Sequence, residues 1–190
     1  MQLNYLNKPH FENGAIKSIS QVLEEHGIKN PLICTDPGLA DIGMSDMIRN
    51  LLSNELSPSF YEDTPANPTE QAVNDALEIY KQNGCDGVVG FGGGSSMDLA
   101  KTVALMANHE GNVVDYSVNE GGVGKINQTM PMIAIPTTSG TGSEVSLGAV
   151  IIMNDGRKLI LASDHLRPTA AICDPELTLG LPPILTAGAG

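Results

Sequence analysis

The chain has 190 residues, 41% of them hydrophobic and 17% charged, the make-up of a globular domain rather than a disordered segment. Ten basic residues against 22 acidic leave a net charge of −12, which argues against a nucleic-acid partner, since phosphate backbones are met chiefly by Lys and Arg. No apolar run reaches membrane-spanning length, no signal-peptide pattern opens the sequence, and Cys34, Cys85 and Cys173 form no C-x-x-C pair, so a soluble cytoplasmic protein with reduced thiols is expected.

Helical and strand patterns then alternate. "GAIKSISQVLEEHG" sets Ile16, Ile19, Val22 and Leu23 on one face and ends at Gly27, so the spacing predicts a helix. "NPLICTD" is a short apolar run closed by a turn, which suits a buried strand. "ADIGMSDMIRNLLS" is a second amphipathic segment, weakened by Gly43, and "SPSFYED" is a strand candidate. "NPTEQAVNDALEIYKQNG" is the clearest helix, with Val73, Ala76, Leu77 and Tyr80 as its apolar stripe. "DGVVGFGGG" reads as strand and loop, "SSMDLAKTVALMAN" as helix, and "TMPMIAIPTTSGTGSEVS" as strand and polar loop. Beyond Ser146 come three short strand candidates, "LGAVIIM", "RKLILAS" and "TAAICD", with no room for helices between them. "ELTLGLPPILTAGAG" begins another helical segment. This alternation, with strands apolar almost throughout, predicts an α/β fold with a Rossmann-like, doubly wound, mostly parallel sheet. Ligands in such folds sit outside the carboxyl ends of the strands.

Three loops follow predicted strands. In "GFGGGSSMDLAK", Gly92, Gly93 and Gly94 precede Ser95, an N-cap candidate, and Asp98 completes an S-x-x-D capping box. Amides at a helix N-terminus bind phosphate, and absent side chains would let a pyrophosphate approach them directly. The stretch is neither a P-loop nor a complete G-x-G-x-x-G fingerprint; read alone it is also an ordinary tight strand-to-helix turn. "PTTSGTGSEVS" carries six hydroxyl residues and two glycines, with Thr141 and Glu144 as a second capping-box candidate. Its hydroxyls suit a ribose, a phosphate or a carboxamide, or simply a polar turn. In "CTDPG", Asp36 ends a strand, where a carboxylate can accept both hydroxyls of an adenosine ribose or merely cap a helix. His10, His26, His109 and His165 show no metal-ligand spacing and read as surface or capping residues.

Taken together, "ANPT", "GFGGGSSMDLAK", "IPTTSGTGSEVS" and "DPELTLGLPP" resemble, in order and spacing, the N-terminal half of the iron-containing (group III) alcohol dehydrogenase family, whose fold is similar to that of dehydroquinate synthase. The resemblance implies an α/β dinucleotide domain over residues 1–180, with 181–190 leading into an all-helical domain. It also implies hydride transfer between a small alcohol, or its aldehyde or ketone, and NAD, with NADP the alternative, at a divalent metal, typically iron, that polarises the substrate oxygen. By position, Gly93, Gly94, Ser95 and Ser96 would hold the pyrophosphate, Asp36 the adenosine ribose, and Asn67 would lie near the adenosine end. Thr137, Thr138, Thr141 and Ser146 would face phosphate and nicotinamide ribose, Lys158 that same ribose, and Leu177 and Leu181 the adenine.

The family's metal ligands, an Asp and three His, follow the position matched by "LTAGAG", so none falls in the 190 residues. The expectation is a cofactor-binding half, inactive alone, with no catalytic residue or metal ligand of its own. By analogy of fold, N-terminal strands would pair across a homodimer. A glycerol dehydrogenase- or dehydroquinate synthase-like metal enzyme and a non-catalytic nucleotide-binding module are the alternatives.

Overall fold

The computed structural model describes residues 7–189. Six strands form one sheet: β1 (Lys8–Phe11), β2 (Pro31–Cys34), β3 (Ser59–Tyr61), β4 (Gly87–Gly92), β5 (Met132–Pro136) and, last in the chain, β8 (Ala170–Cys173). Their order is β1-β8-β5-β4-β2-β3, and every neighbouring pair is parallel. Two further strands, β6 (Gly148–Ile152) and β7 (Lys158–Ala162), form a separate antiparallel hairpin.

A parallel sheet needs long crossovers, and these supply the helices that cover both its faces. On one face, Leu32, Val88, Met132 and Ala134 pack against α4 (Glu70–Gln82) and α5 (Gly94–Met106). The alternate residues Ile33, Val89, Ile133 and Ile135 point to the other face and meet α1 (Ile19–Glu25) and Ile48 of α3 (Met44–Leu51). Central strands are therefore buried along their whole length, which is why they read as continuous apolar runs.

The chain steps outward from β2 to β3, then returns past β2 to β4 and continues to β5 and β8. Right-handed crossovers make that reversal place α3 on one face and α4 and α5 on the other. The reversal point lies between β2 and β4, so the loops leaving these adjacent strands diverge to opposite faces and open a crevice.

Several expectations are refined. The segment predicted as one helix over 14–27 opens as a 3-10 turn, Ala15–Ser18, before α1. Gly43, at φ +81°, divides the second amphipathic segment into α2 (Pro37–Asp41) and α3. Of the three late strand candidates, two make the hairpin and the third returns to the main sheet between β1 and β5. β1 escapes sequence reading, because a four-residue edge strand that pairs with β8 some 160 residues away has no local signature. The expected dimer strands fall at the N-terminus, where residues 1–6 lie outside the described residues. Among the described residues, no helix is long and apolar enough to cross a membrane.

Candidate functional site

Beyond the carboxyl ends of the strands lies a cavity of about 880 Å3. Its walls are the loops after β2, β4 and β5, the 63–66 turn, and the segment leading from β8 into α6 (Pro183–Ala189). Nine of the residues singled out from the sequence line it: Asp36, Gly93, Gly94, Ser95, Ser96, Thr137, Thr138, Leu177 and Leu181.

The corner after β4 is built from its glycines. Gly92 has φ +145°, and a Cβ there would stand 2.5 Å from Ser96 Oγ, so only glycine permits this turn. Gly93 and Gly94 are different. A Cβ on Gly93 would lie 3.6 Å from Thr138 Cγ2, and one on Gly94 3.4 Å from Thr141 Cγ2, both ordinary contacts. Packing within the chain does not require these two to be bare. Their bareness leaves room on the open side of the corner.

Helix α5 starts earlier than the serines suggest. Gly93 is its N-cap, and the first helical bond runs from Met97 N–H to Gly93 O at 3.3 Å. The amides of Gly94, Ser95 and Ser96 precede that bond and are the donors a helix start leaves over. The predicted Ser95–Asp98 capping box is not formed. Ser95 Oγ instead donates to Ala66 O across the cavity rim, and the Asp98 carboxylate reaches Ser143 Oγ at 2.8 Å and Val150 N–H at 3.0 Å. The Gly92 turn lets the helix begin before Ser95, which frees both side chains for distant partners.

Asp36 caps a helix and also faces the glycine corner. Its Oδ1 accepts from Leu39 N–H at 3.1 Å and so caps α2, while Oδ2 lies 3.3 Å from where a Gly92 Cβ would stand, facing the corner. Thr137 N–H donates to Gly92 O at 2.9 Å and clamps the hydroxyl-rich loop to the glycine corner. Next to it, Thr138 Oγ1 is buried with no hydrogen-bond partner among the described residues. A buried hydroxyl left unpaired costs about 1–3 kcal/mol; Thr35, Ser45, Thr64 and Tyr80 carry others among the described residues.

Four predicted residues lie off the cavity wall. Thr141 stands beside Gly94, and its Oγ1 accepts from Ser143 N–H at 3.4 Å in a hydroxyl turn; no helix follows, so the Thr141–Glu144 capping box is corrected. Asn67 and Lys158, expected at opposite ends of a dinucleotide, are bonded to each other, Nζ donating to Oδ1 at 3.2 Å. Ser146 turns inward, its hydroxyl accepting from Lys101 Nζ at 2.8 Å, because a buried ammonium is a stronger donor than anything the open loop offers. Lys101 itself was missed by sequence reading; it stands amid small and apolar helix residues with no marker of its own.

His109 behaves as a structural residue. Nδ1 lies 2.9 Å from Leu105 O and Nε2 accepts from Asn127 N–H at 3.0 Å, an arrangement that closes the end of α5. Cys34, Cys85 and Cys173 are free thiols, and burial pushes each one's pKa up, which makes them poor nucleophiles. Among the described residues, no three His, Cys, Asp or Glu side chains gather closely enough to hold a metal ion.

Residues 7–175 match the family model for iron-containing alcohol dehydrogenase. The chain belongs to this family. It is 48% identical over 98% of its length to the 4-hydroxybutyrate dehydrogenase of Cupriavidus necator, covering 49% of that protein, and 40% identical over 93% to the choline dehydrogenase of Bacillus subtilis, covering 44%. Among solved structures it matches the NAD+ complex of sulfoacetaldehyde reductase from Bifidobacterium kashiwanohense, with a TM-score of 0.88 and 32% identity over 100% of this chain and 50% of that one. The NADH-dependent butanol dehydrogenase A of Thermotoga maritima gives a TM-score of 0.90 at 28% identity, over 100% of this chain and 48% of that one. The chain thus spans about half the length of these iron-containing alcohol dehydrogenase relatives.

Proposed function

We propose that this chain is the nucleotide-binding half of a metal-dependent dehydrogenase that moves hydride between a small alcohol and NAD, and that its cavity takes the dinucleotide. Supporting this is the corner after β4: three leftover helix amides, two glycines bare without internal cause, and an unpaired Thr138 hydroxyl, all at the topological switch point.

In this reading the amides of Gly94, Ser95 and Ser96 hold the pyrophosphate, favoured by the positive end of the α5 dipole. That local field matters in a chain of net charge −12, where no basic cluster is available to do the same work. Thr138 donates its hydroxyl to the same anion, and Thr137 fixes the loop that presents it. Thr141 stands over Gly94 at the corner's edge. Asp36 accepts from the adenosine ribose, and Leu177 and Leu181 bound the adenine slot. Asn67 and Lys158 act together, with Lys158 turned to the nicotinamide ribose. The nicotinamide ring supplies the hydride acceptor or donor when bound. The residues of this chain orient it and contribute no acid, base or metal ligand.

Residues 1–180 form the dinucleotide unit in this proposal, and 181–190 lead towards a helical unit that carries the metal. The chain without that unit binds cofactor but does not turn over. A reducing cytoplasm is the setting this reading proposes, and the three free thiols suit it. Calorimetric titration with NAD and with ADP tests the reading, paired with a co-crystal structure. Binding of both, with the diphosphate on the Gly93–Ser96 amides, supports it; no binding, or a nucleotide seated elsewhere, ends it.

A further inference from the structure

Lys101 is 1% exposed, yet it carries an amine, and its position on α5 gives it no contact with the cavity. Its Nζ donates to four acceptors: Ser143 Oγ at 3.1 Å, Ser146 O at 3.1 Å, Ser146 Oγ at 2.8 Å and Gly148 O at 2.9 Å. All four belong to the end of the hydroxyl-rich loop or the start of β6. Ser143 Oγ in turn donates to Asp98 Oδ1 at 2.8 Å, and Asp98 Oδ2 takes Val150 N–H at 3.0 Å. Two residues one helical turn apart on α5 thus grip the far end of a loop whose near end is clamped by Thr137 to Gly92. Between the clamps lie Thr138 and Thr141, the hydroxyls nearest the glycine corner.

Burying an ammonium is costly unless its donors are satisfied, and here every acceptor comes from this one loop and the strand it enters. Burial therefore has to be matched by what the charge organises. We propose that Lys101 is a positioning residue for the dinucleotide: its ammonium sets the loop from Thr138 to Ser146, and with it the Thr138 hydroxyl, over the phosphate corner. This rests on the cofactor reading given above. It adds a residue remote from the ligand to the determinants of affinity.

The charged state of Lys101 then matters. Burial pulls its pKa down to about 8, partly offset by the nearby Asp98 and Glu144 carboxylates; Lys158 on β7 also faces Asp98. On deprotonation the amine keeps two N–H donors for four acceptors, and the loop is held less firmly.

Two measurements on the purified protein test this. Hydrogen exchange without ligand is followed at the amides of residues 138–148, in the wild-type protein between pH 6.5 and 9.5 and in Lys101→Met at pH 7. After correction for intrinsic rates, exchange is expected to rise at least fivefold on passing about pH 8 and at least tenfold in Lys101→Met, with β4 and β5 amides unchanged. In parallel, the NAD dissociation constant is expected to rise about tenfold across the same pH step, and to be high and independent of pH in Lys101→Met. Should that variant not fold, the wild-type pH series alone decides. Loop exchange unaffected by pH overturns the inference, and so does a loosened loop with NAD affinity unchanged; a merely structural lysine would lower the melting temperature without a pH step in affinity. Failure of the wild-type protein to bind NAD at any pH overturns the cofactor reading itself and this inference with it.

Discussion

The corner after β4 and the end of the loop after β5 are neighbours built of the same small polar residues, and they treat their hydrogen bonds in opposite ways. At 143–150 the polar groups are paired internally: Ser143, Ser146, Gly148 and Val150 all engage Lys101 or Asp98. At 93–96 and 138 the helix amides and the Thr138 hydroxyl are left without partners among the described residues. A fold tolerates unpaired buried groups only at a cost, and in the proposed reading a ligand completes those at this corner. In that reading the satisfied region is scaffold and the unsatisfied one is site, although residue types alone would not distinguish them.

The comparison can be broken most severely on the satisfied side. Asp98→Ala leaves Val150 N–H and the Lys101 ammonium without their acceptor and counter-charge, and should cost about 3 kcal/mol of stability, read from urea unfolding. A loss below about 1 kcal/mol would mean that the network is solvated and not structural.

On the open side the expected pattern is reversed. Gly93→Ala adds a methyl that meets Thr138 at an ordinary 3.6 Å, so the melting temperature should hold while NAD affinity falls by about 2 kcal/mol, roughly thirtyfold. If stability and affinity fall together, Gly93 is needed for the turn and not for the ligand.

Asp36 sharpens the contrast within one side chain, since Oδ1 is used by the fold and Oδ2 faces the corner. Asp36→Ala should move the NAD-over-NADP preference by about 1–2 kcal/mol towards NADP, because like-charge repulsion of a 2′-phosphate is removed. A protein that already prefers NADP with Asp36 intact would falsify this charge argument. The same variant loses an N-cap and should be destabilised by about 1 kcal/mol.

The smallest effect is the most diagnostic. Thr138→Val keeps the shape and deletes the unpaired hydroxyl, so stability should rise slightly while NAD affinity falls by about 1 kcal/mol. Opposite signs in thermal melting and calorimetry would show that the hydroxyl serves the ligand at the fold's expense; a fall in both would show that the fold uses it too, and unchanged affinity that the ligand does not.

Much of this molecule was open to sequence reading where the signal is local. Helix α4 shows its stripe at Val73, Ala76, Leu77 and Tyr80, and β4 and β5 are apolar because both sheet faces are covered. The glycine corner was legible for the same reason: a run of residues without side chains directly after a strand has few uses. Local rules also misled. Ser95–Asp98 has the spacing of a capping box, but both side chains bond to groups dozens of residues away, and the helix starts on Gly93 instead. Periodicity records which face of an element is apolar and carries nothing about which distant carbonyl a side chain will meet.

The sequence by itself determined the parallel α/β architecture and the bare-backbone corner, because strand burial, helix stripes and missing side chains are all written within a dozen residues. Tertiary structure alone decided that β1 lies beside β8, that Asn67 and Lys158 stand together, and that Lys101 holds the loop above the corner. Those outcomes depend on strand order and on hydrogen bonds spanning 45 to 91 residues in the two side-chain cases. Such pairings are selected only once the sheet has assembled, by which buried donor finds an acceptor within reach.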